Sequence, residues 1–228
     1  MSNRRTESVA ILGVTLGLAA VFYGWPSVDL WAASLFFSPD QGFVSPDHWW
    51  LALPYYGMPR LAQATFLVLV AGFIASFWAY RWKARRPLLV FLLLGALMGP
   101  HLMVGEGLKE HFGRARPANI SEFGGVQRFT PAFVLSDQCS RNCAFVSAHV
   151  ASAAFVMAFG WLSIPLVRRR WLWASVVFAG VIGLARMAQG GHFLSDVVFA
   201  WLVVYWSLWL TEGGLKVLSR WSLKESTI

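Results

Sequence analysis

The stretch RMAQGGHFLSD, residues 186–196, lies between two long apolar runs, 171–184 and 197–210. It places a guanidinium (Arg186), an imidazole (His192) and a carboxylate (Asp196) where membrane-spanning segments end and begin, and ionisable groups at that depth usually have a function. Residues four apart share a helix face, so Asp196 could hold the ring of His192, and the two glycines before it would let backbone approach a ligand. Structural roles are equally open at this point, as a membrane-surface arginine, an interfacial histidine and a helix cap.

The whole chain has the composition of an integral membrane protein. Of its 228 residues, 57% are hydrophobic and 13% are charged, whereas soluble domains carry about 25% charged residues. The net charge of +8 could indicate a nucleic-acid partner, but the apolar segments make membrane topology the better explanation of the basic residues. We therefore expect no nucleic-acid partner, and the length predicts a single domain over residues 1–228.

Six segments contain about the 20 mostly apolar residues that a spanning helix needs. We predict an all-α, six-helix membrane bundle with helices at approximately 8–25, 61–80, 87–108, 144–167, 171–189 and 193–215. Two stretches of the first outer connection, 28–37 and 48–56, predict short interfacial helices, and their aromatic residues fit a membrane-surface belt better than a lipid-binding role. The first segment has no small-residue cleavage site after it, so we expect it to be a helix of the bundle and not a signal peptide.

The basic residues orient this bundle. Twelve of the 19 fall on one side, which the positive-inside rule makes cytoplasmic, so both termini are expected in the cytoplasm. The remaining seven fall on the outer side or at outer helix ends: Arg60, Lys109, Arg114, Arg116, Arg128, Arg141 and Arg186. Because this placement opposes the topological trend, the outer cations need a separate explanation.

Three polar segments fall at the outer ends of different helices: KEHFGRARP at 109–117, FVSAH at 145–149, and the stretch 186–196. Taken singly, each also fits interfacial snorkelling, a serine helix cap or a buried neutral histidine. Together they would bring three cations into a low-dielectric pocket, where their repulsion is strong unless a polyanion joins them. Phosphate is the natural anion, because arginine and lysine match its oxygens and a helix start offers free N–H groups. Two nearby histidines then predict phosphoryl transfer.

The three segments resemble the signature motifs of the type 2 phosphatidic acid phosphatase family, which belongs to a superfamily shared with vanadium haloperoxidases. The first motif, Lys, six residues, Arg-Pro, is matched by Lys109, Arg116 and Pro117. The second, Pro-Ser-Gly-His, is matched by residues 146–149, and the third, Ser-Arg, five residues, His, three residues, Asp, by residues 185–196. All spacings are kept, and three positions depart from the pattern: Val146, Ala148 and Ala185. The methyl group of Ala148 puts in doubt the fine fit of backbone to phosphate.

The resemblance implies a role for each matched residue. His192 would attack phosphorus and form a phosphohistidine, Asp196 would fix the tautomer of that ring, and His149 would protonate the leaving oxygen and then activate water. The phosphate oxygens would be held by Lys109, Arg116, Arg186, Ser147 and the N–H of Ala148. Neither a metal ion nor a cofactor is implied, because the cations supply the electrostatic stabilisation.

The wider sequence is similar to bacterial lipid A phosphatases, with the 4′-phosphatase branch favoured. This implies a multi-pass protein of the inner membrane, an active site facing the periplasm, a lipid phosphate substrate among membrane lipids, and no obligate protein partner. Alternatives within the class are 1-phosphatases and phosphatases of undecaprenyl pyrophosphate or phosphatidylglycerophosphate. Alternatives of another kind are phosphate transfer to a second lipid and a non-catalytic lipid transporter.

Two further predictions concern the second long outer connection, residues 109–143. Arg114, Arg128 and Arg141 could meet a second phosphate or an anionic sugar, or could lie in a solvated loop. Cys139 and Cys143 are the only cysteines of the chain, and their loop would face an oxidising compartment. We predict a disulfide between them that braces the chain as it enters the second motif.

Overall fold

The computed structural model describes the backbone of residues 2–225 and the side chains of residues 4–218. Within that range all regular elements are helical apart from two isolated bridges. In chain order the helices are α1 Ser2–Gly24, α2 Ser27–Ser34, α3 Trp49–Ala75, α4 Tyr80–Lys83, α5 Arg86–Lys109, α6 Ala148–Trp161, α7 Pro165–Ala188 and α8 Leu194–Glu225. The predicted all-α membrane class is confirmed.

Five of these helices, α1, α3, α5, α7 and α8, are long and apolar enough to cross a membrane. The fourth predicted span, 144–167, is longer than the helix that forms there, which is α6. Pro165 explains the difference: it opens α7 at its first position, and the residue before it is held in an extended conformation. The arginine run 168–170, expected in a loop, therefore lies in α7.

The first long outer connection, residues 26–60, also differs from its prediction. The stretch 28–37 does contain a short helix, α2. The stretch 48–56 does not form a separate one, because it is the first part of the long α3. Pro54 lacks a backbone donor, and the chain accommodates it in a π-helical turn, Leu53–Gly57, so the helix continues into the membrane segment.

Helix α8 is the most buried of the five long helices, and α1 is the least. Helix α8 packs against α5, α6 and α7, and aromatic side chains such as Trp161, Phe199 and Tyr205 fill the interior of the bundle. The second half of α5 is π-helical around Pro100 and ends at Lys109. The end of α5, the start of α6 and the α7–α8 connection thus come together at one end of the bundle.

A buried polar network occupies the opposite end of the same helices, which we call the inner end. Arg168 forms an ion pair of 2.6 Å with Glu7 of α1 and donates to the carbonyl oxygen of Trp161 at 2.8 Å. Glu212 of α8 accepts from the Trp161 indole at 2.8 Å and pairs with Arg4. These contacts tie the starts of α1 and α7 to the middle of α8. The inner cations Arg220 and Lys224 lie outside the described side chains.

Candidate active site

His192 lies in the short connection between α7 and α8, and its side chain is 1% exposed. Its Nδ1 is 2.8 Å from the carbonyl oxygen of Ala144, which can only accept, so Nδ1 carries the proton. The lone pair is then on Nε2, a buried atom with no hydrogen-bond partner among the described residues. Asp196 lies 3.7 Å from Nδ1. The tautomer is thus fixed by the Ala144 carbonyl and not, as expected, by Asp196.

The surroundings of His192 keep its ring neutral. Burial lowers its pKa well below the ordinary value of 6.5, and the positive charges of Lys109, Arg186 and Arg116 lower the pKa further. A neutral ring with an unshared Nε2 lone pair can act as a nucleophile. All three predicted phosphate-binding cations thus contribute positive potential at His192.

Three elements supply those cations. Lys109 ends α5 and is 8% exposed, Arg186 lies in the last turn of α7 and is 2% exposed, and Arg116 lies in the connection between α5 and α6. Arg116 donates to the carbonyl oxygen of Asn142 at 2.7 Å, and Arg186 donates to Gln189 while its Nε has no partner. None of the three cations is paired with a carboxylate within the described part of the chain. Their charge is available to an external anion.

His149, in the first turn of α6, is held by α3. Its Nε2 lies 3.0 Å from the carbonyl oxygen of Tyr55, and the two rings stack with centroids 5.8 Å apart. Nε2 therefore carries the proton, and Nδ1 is left for proton transfer. The Tyr55 ring also lies 4.8 Å from the guanidinium of Arg186. From the sequence we expected Tyr55 to be only part of the aromatic belt, and no local pattern marks it as a site residue.

Ser147 and Ala148 begin α6. The Ser147 hydroxyl accepts weakly from the N–H of Val150 at 3.5 Å, so this serine is a helix cap, as one alternative held. Its own N–H donates to the carbonyl oxygen of Asp196 at 3.2 Å, which joins the start of α6 to the start of α8. The hydroxyl proton and the N–H of Ala148 are still able to donate to a phosphate.

The glycines before His192 take the backbone past the site. Gly190 has a φ of 61°, a left-handed conformation that side chains disfavour. A Cβ on Gly191 would lie 2.5 Å from a guanidinium nitrogen of Arg186, so only glycine lets that side chain pass. The pair therefore makes room for a cation of the site.

Arg114 differs from both interpretations of the sequence, a ligand of a second phosphate and a solvated cation. It is 1% exposed, and it donates to Asp196 at 2.6 Å and to Asp29 of α2 at 2.8 Å. Asp29 was not singled out in the sequence at all. Arg128 and Arg141, the other two extra cations, are exposed on the second outer connection.

Cys139 and Cys143 form a disulfide with their Cα atoms 5.6 Å apart. Two backbone carbonyl oxygens, one inside the disulfide loop and one just after it, accept hydrogen bonds from site residues. The carbonyl oxygen of Asn142 accepts from Arg116, and that of Ala144 accepts from His192. The disulfide thus braces the segment that holds one phosphate-binding cation and the candidate nucleophile.

An apolar cavity of about 540 Å³ lies between α3, α5 and α6. Its lining includes Phe66 of α3, Pro100 of α5 and Phe155 of α6. Each lies farther into the bundle than the site residue of its own helix, namely Tyr55, Lys109 and His149. Within the described residues, no group of three or more His, Cys, Asp and Glu side chains comes together as metal ligands.

Comparisons with known proteins agree with this geometry. A family model described as the PAP2 superfamily matches residues 88–213, which include every predicted site residue. The chain is 32% identical over 216 residues to the lipid A 4'-phosphatase of Francisella tularensis subsp. novicida (strain U112), covering 86% of this chain and 93% of that protein. It is 31% identical over 201 residues to the lipid A 4'-phosphatase of Rhizobium leguminosarum, covering 81% and 86%.

A solved structure has a similar fold. It is the first transmembrane PAP2 type phosphatidylglycerolphosphate phosphatase from Bacillus subtilis, with a TM-score of 0.51 and 19% sequence identity. The superposition covers 91% of this chain and 95% of that one. At this identity the likeness concerns the helical fold alone.

Proposed function

The chain belongs to the PAP2 superfamily, and from this premise we propose that it removes the 4′-phosphate of lipid A through a phosphohistidine on His192. It is a multi-pass membrane lipid phosphatase, and therefore a hydrolase. The observation that carries the proposed mechanism is the buried Nε2 of His192, which has a lone pair and no partner among the described residues, beside three cations without carboxylates.

In the first step the Nε2 lone pair of His192 attacks phosphorus, and the bond from phosphorus to the lipid oxygen breaks. That oxygen takes the Nδ1 proton of a His149 imidazolium, whose Nε2–H stays bonded to the Tyr55 carbonyl, while the Nδ1–H of His192 remains bonded to the Ala144 carbonyl. The ring becomes cationic, and the nearby carboxylate of Asp196 stabilises it. Charge on the phosphoryl oxygens is stabilised in place by cations and N–H donors: Lys109, Arg116, Arg186, Ser147 and Ala148.

In the second step a water molecule attacks the phosphoryl group from the side that the lipid has left. His149 takes one proton from that water, and the bond from phosphorus to Nε2 breaks. Inorganic phosphate leaves, and both rings return to their starting states. One histidine thus acts as acid and then as base, which its single hydrogen bond to the Tyr55 carbonyl permits, because one ring nitrogen stays free.

Two observations support a lipid with a large anionic head group. The two relatives that are 32% and 31% identical to the chain over most of their length are named lipid A 4'-phosphatases. The exposed Arg128 and Arg141 lie on the outer connection beside the site, where a second phosphate or an acidic sugar would meet them. The apolar cavity below the site offers space for part of an acyl chain.

The positive-inside distribution supports a placement in the inner membrane with both termini in the cytoplasm. The site is then at the periplasmic face, where the phosphate of an outer-leaflet lipid is accessible. A disulfide in the loop beside the site fits an oxidising compartment.

The test is phosphate release from bis-phosphorylated lipid A by purified protein in detergent with EDTA, followed by mass spectrometry of the lipid. We expect inorganic phosphate and a lipid that has lost the 4′-phosphate. His192→Ala should be inactive, and His48→Ala, an exposed histidine without a side-chain cap bond, should match wild type. Full turnover in folded His192→Ala would overturn the mechanism, and a phosphorylated second lipid would indicate transfer instead of hydrolysis.

A further inference from the structure

Arg114 connects three parts of the chain through one buried guanidinium. Its NH1 group donates to Asp196 at 2.6 Å and to the hydroxyl of Ser195 at 2.8 Å, and its NH2 group donates to Asp29 at 2.8 Å. Its Nε donates to the carbonyl oxygen of Thr130 at 2.8 Å. The group also lies 4.3 Å from the centre of the Phe193 ring. Together these contacts fix the guanidinium of Arg114 in one position.

Asp29 comes from α2, outside the three motif segments, and is 0% exposed. One of its oxygens accepts from the backbone N–H of Ser195 at 2.8 Å. The other accepts from the Ser195 hydroxyl at 2.6 Å and from Arg114 at 2.8 Å. A single carboxylate therefore fixes both neighbours of Asp196: the residue before it in the chain, and the cation that holds its side chain.

Asp196 in turn is placed by two donors. One oxygen accepts from Arg114, and the other accepts from the backbone N–H of Phe193 at 2.7 Å while lying 3.7 Å from Nδ1 of His192. Asp196 makes no hydrogen bond to the ring of His192, so it acts on that ring through its charge, and the strength of this effect depends on the distance between them. Its position then matters as much as its presence.

The charge of the cluster suits the proposed reaction. Two carboxylates and one guanidinium have a formal charge of −1, in a region that is almost free of solvent. If Asp29 were neutral, Arg114 would cancel the charge of Asp196. Burial and the charge of Asp196 raise the pKa of Asp29, and Arg114 and Ser195 oppose that rise. When Asp29 is ionised, one negative charge remains to stabilise the imidazolium that forms when His192 accepts the phosphoryl group.

We propose that Asp29 is a positioning residue for the reaction: through Arg114 and Ser195 it holds the carboxylate of Asp196, and a net negative charge, beside His192. This inference rests on the proposed function, because it requires His192 to be the nucleophile. Helix α2 is then a functional part of the enzyme as well as a cover over its outer end.

The test is Asp29→Asn, which keeps the shape and an acceptor for the Ser195 N–H but removes the charge. We expect kcat to fall about 10- to 100-fold, as for residues that orient a catalytic group. Because the phosphate-binding cations are unchanged, KM and the inhibition constant of inorganic phosphate should change less than about threefold. Asp40→Asn, an exposed carboxylate in the same connection, is the matched control and should match wild type.

A second variant, Ser195→Ala, keeps both carboxylates and removes the hydroxyl that links Asp29 to Arg114, so we expect a loss in kcat of about three- to tenfold. An unchanged kcat in Asp29→Asn overturns the inference, and so does an equal loss of phosphate binding, which indicates a collapsed site. If Asp29→Asn does not fold, an unchanged kcat in Ser195→Ala overturns it. His192→Ala is measured in parallel: turnover in that variant defeats the proposed function itself, whereas an inactive His192→Ala with a fully active Asp29→Asn defeats only this inference.

Discussion

Two charge clusters lie at opposite ends of α6 and α7, and they differ in how completely their charges are paired. At the inner end Arg168 pairs with Glu7, and Glu212 pairs with Arg4 and Lys216. At the outer end Lys109, Arg116 and Arg186 have no carboxylate partner in the described part of the chain.

The outer end also contains both kinds of charge arrangement within a few residues. Arg114 is fully paired, whereas the Nε of Arg186 and the Nε2 of His192 are buried without hydrogen-bond partners in residues 4–218. A paired buried charge holds helices together, and removing one partner is strongly destabilising. Unpaired buried cations repel each other until an anion binds, so they mark the place where a substrate phosphate is required.

Removing an unpaired cation should produce the largest change in activity. In Lys109→Met we expect kcat/KM to fall about 100- to 1000-fold, because a preorganised donor to the phosphoryl oxygens is lost. The melting temperature should stay the same or rise, since repulsion among the outer cations is relieved. Lys83→Met, an exposed lysine at the inner side, is the control for the loss of a charge. Wild-type activity in Lys109→Met, or a clearly lower melting temperature, would break the distinction between the two clusters.

Removing a paired cation should do the opposite. In Arg168→Met, Glu7 is left partly buried without its partner, so the free energy of unfolding should fall by about 3 kcal/mol. The activity of the protein that remains folded should match wild type, because the inner cluster is distant from the site. Thermal unfolding in detergent and phosphate release per folded molecule measure the two effects. The exposed neighbour variant Arg169→Met should change neither, and a stable but inactive Arg168→Met would contradict this assignment.

The same contrast explains how much could be predicted from the sequence. Helix α5 begins and ends within one residue of its predicted bounds, because its apolar run is long and is flanked by cations. The motif residues Lys109, Arg186 and His192 were found through their spacing and their unusual side of the membrane. Their proximity in the fold follows from the shared outer ends of the helices.

What could not be predicted depends on partners that are distant in the chain. Arg114 and Arg116 are two residues apart, yet one is buried and paired with carboxylates and the other is half-buried and donates to a backbone carbonyl. The partners of Arg114 are 85 and 82 residues away, so no local pattern separates the two arginines. The hydrogen bond of His149 to Tyr55 spans 94 residues and uses a backbone carbonyl, which any residue would provide.

A smaller effect is expected from the disulfide loop. In the double variant Cys139→Ser, Cys143→Ser, the segment whose Asn142 carbonyl accepts from Arg116 loses its covalent brace. We expect KM to rise about three- to tenfold, as for the weakening of one charged hydrogen bond, with a smaller change in kcat. Steady-state kinetics of the double variant and of reduced wild type should agree with each other. Unchanged kinetics in both would show that the loop holds Arg116 without the disulfide.

The smallest effect concerns pH. The reaction needs a neutral His192, and burial together with Lys109, Arg186 and Arg116 lowers the pKa of that ring well below 6.5. As the pH falls through 6.5, kcat/KM should therefore persist, and it should decline only at a more acidic pH. In Arg116→Met one of those positive charges is gone, the pKa of His192 rises, and the acidic limb should move to higher pH. A limb near 6.5 in wild type that does not move in the variant would contradict a nucleophile shielded by the outer cations.

The central claim is that the unpaired outer cations present a phosphate to Nε2 of His192. Its most direct measurement is phosphopeptide mapping of the His149→Asn variant after brief exposure to 4-nitrophenyl phosphate, whose leaving group needs no proton, so that only the second step lacks His149. We predict a phosphoryl adduct on His192 that acid removes and alkali preserves, and no adduct when Lys109→Met is added. An adduct on another residue, or none on His192 in a variant that still releases phosphate, would contradict the account.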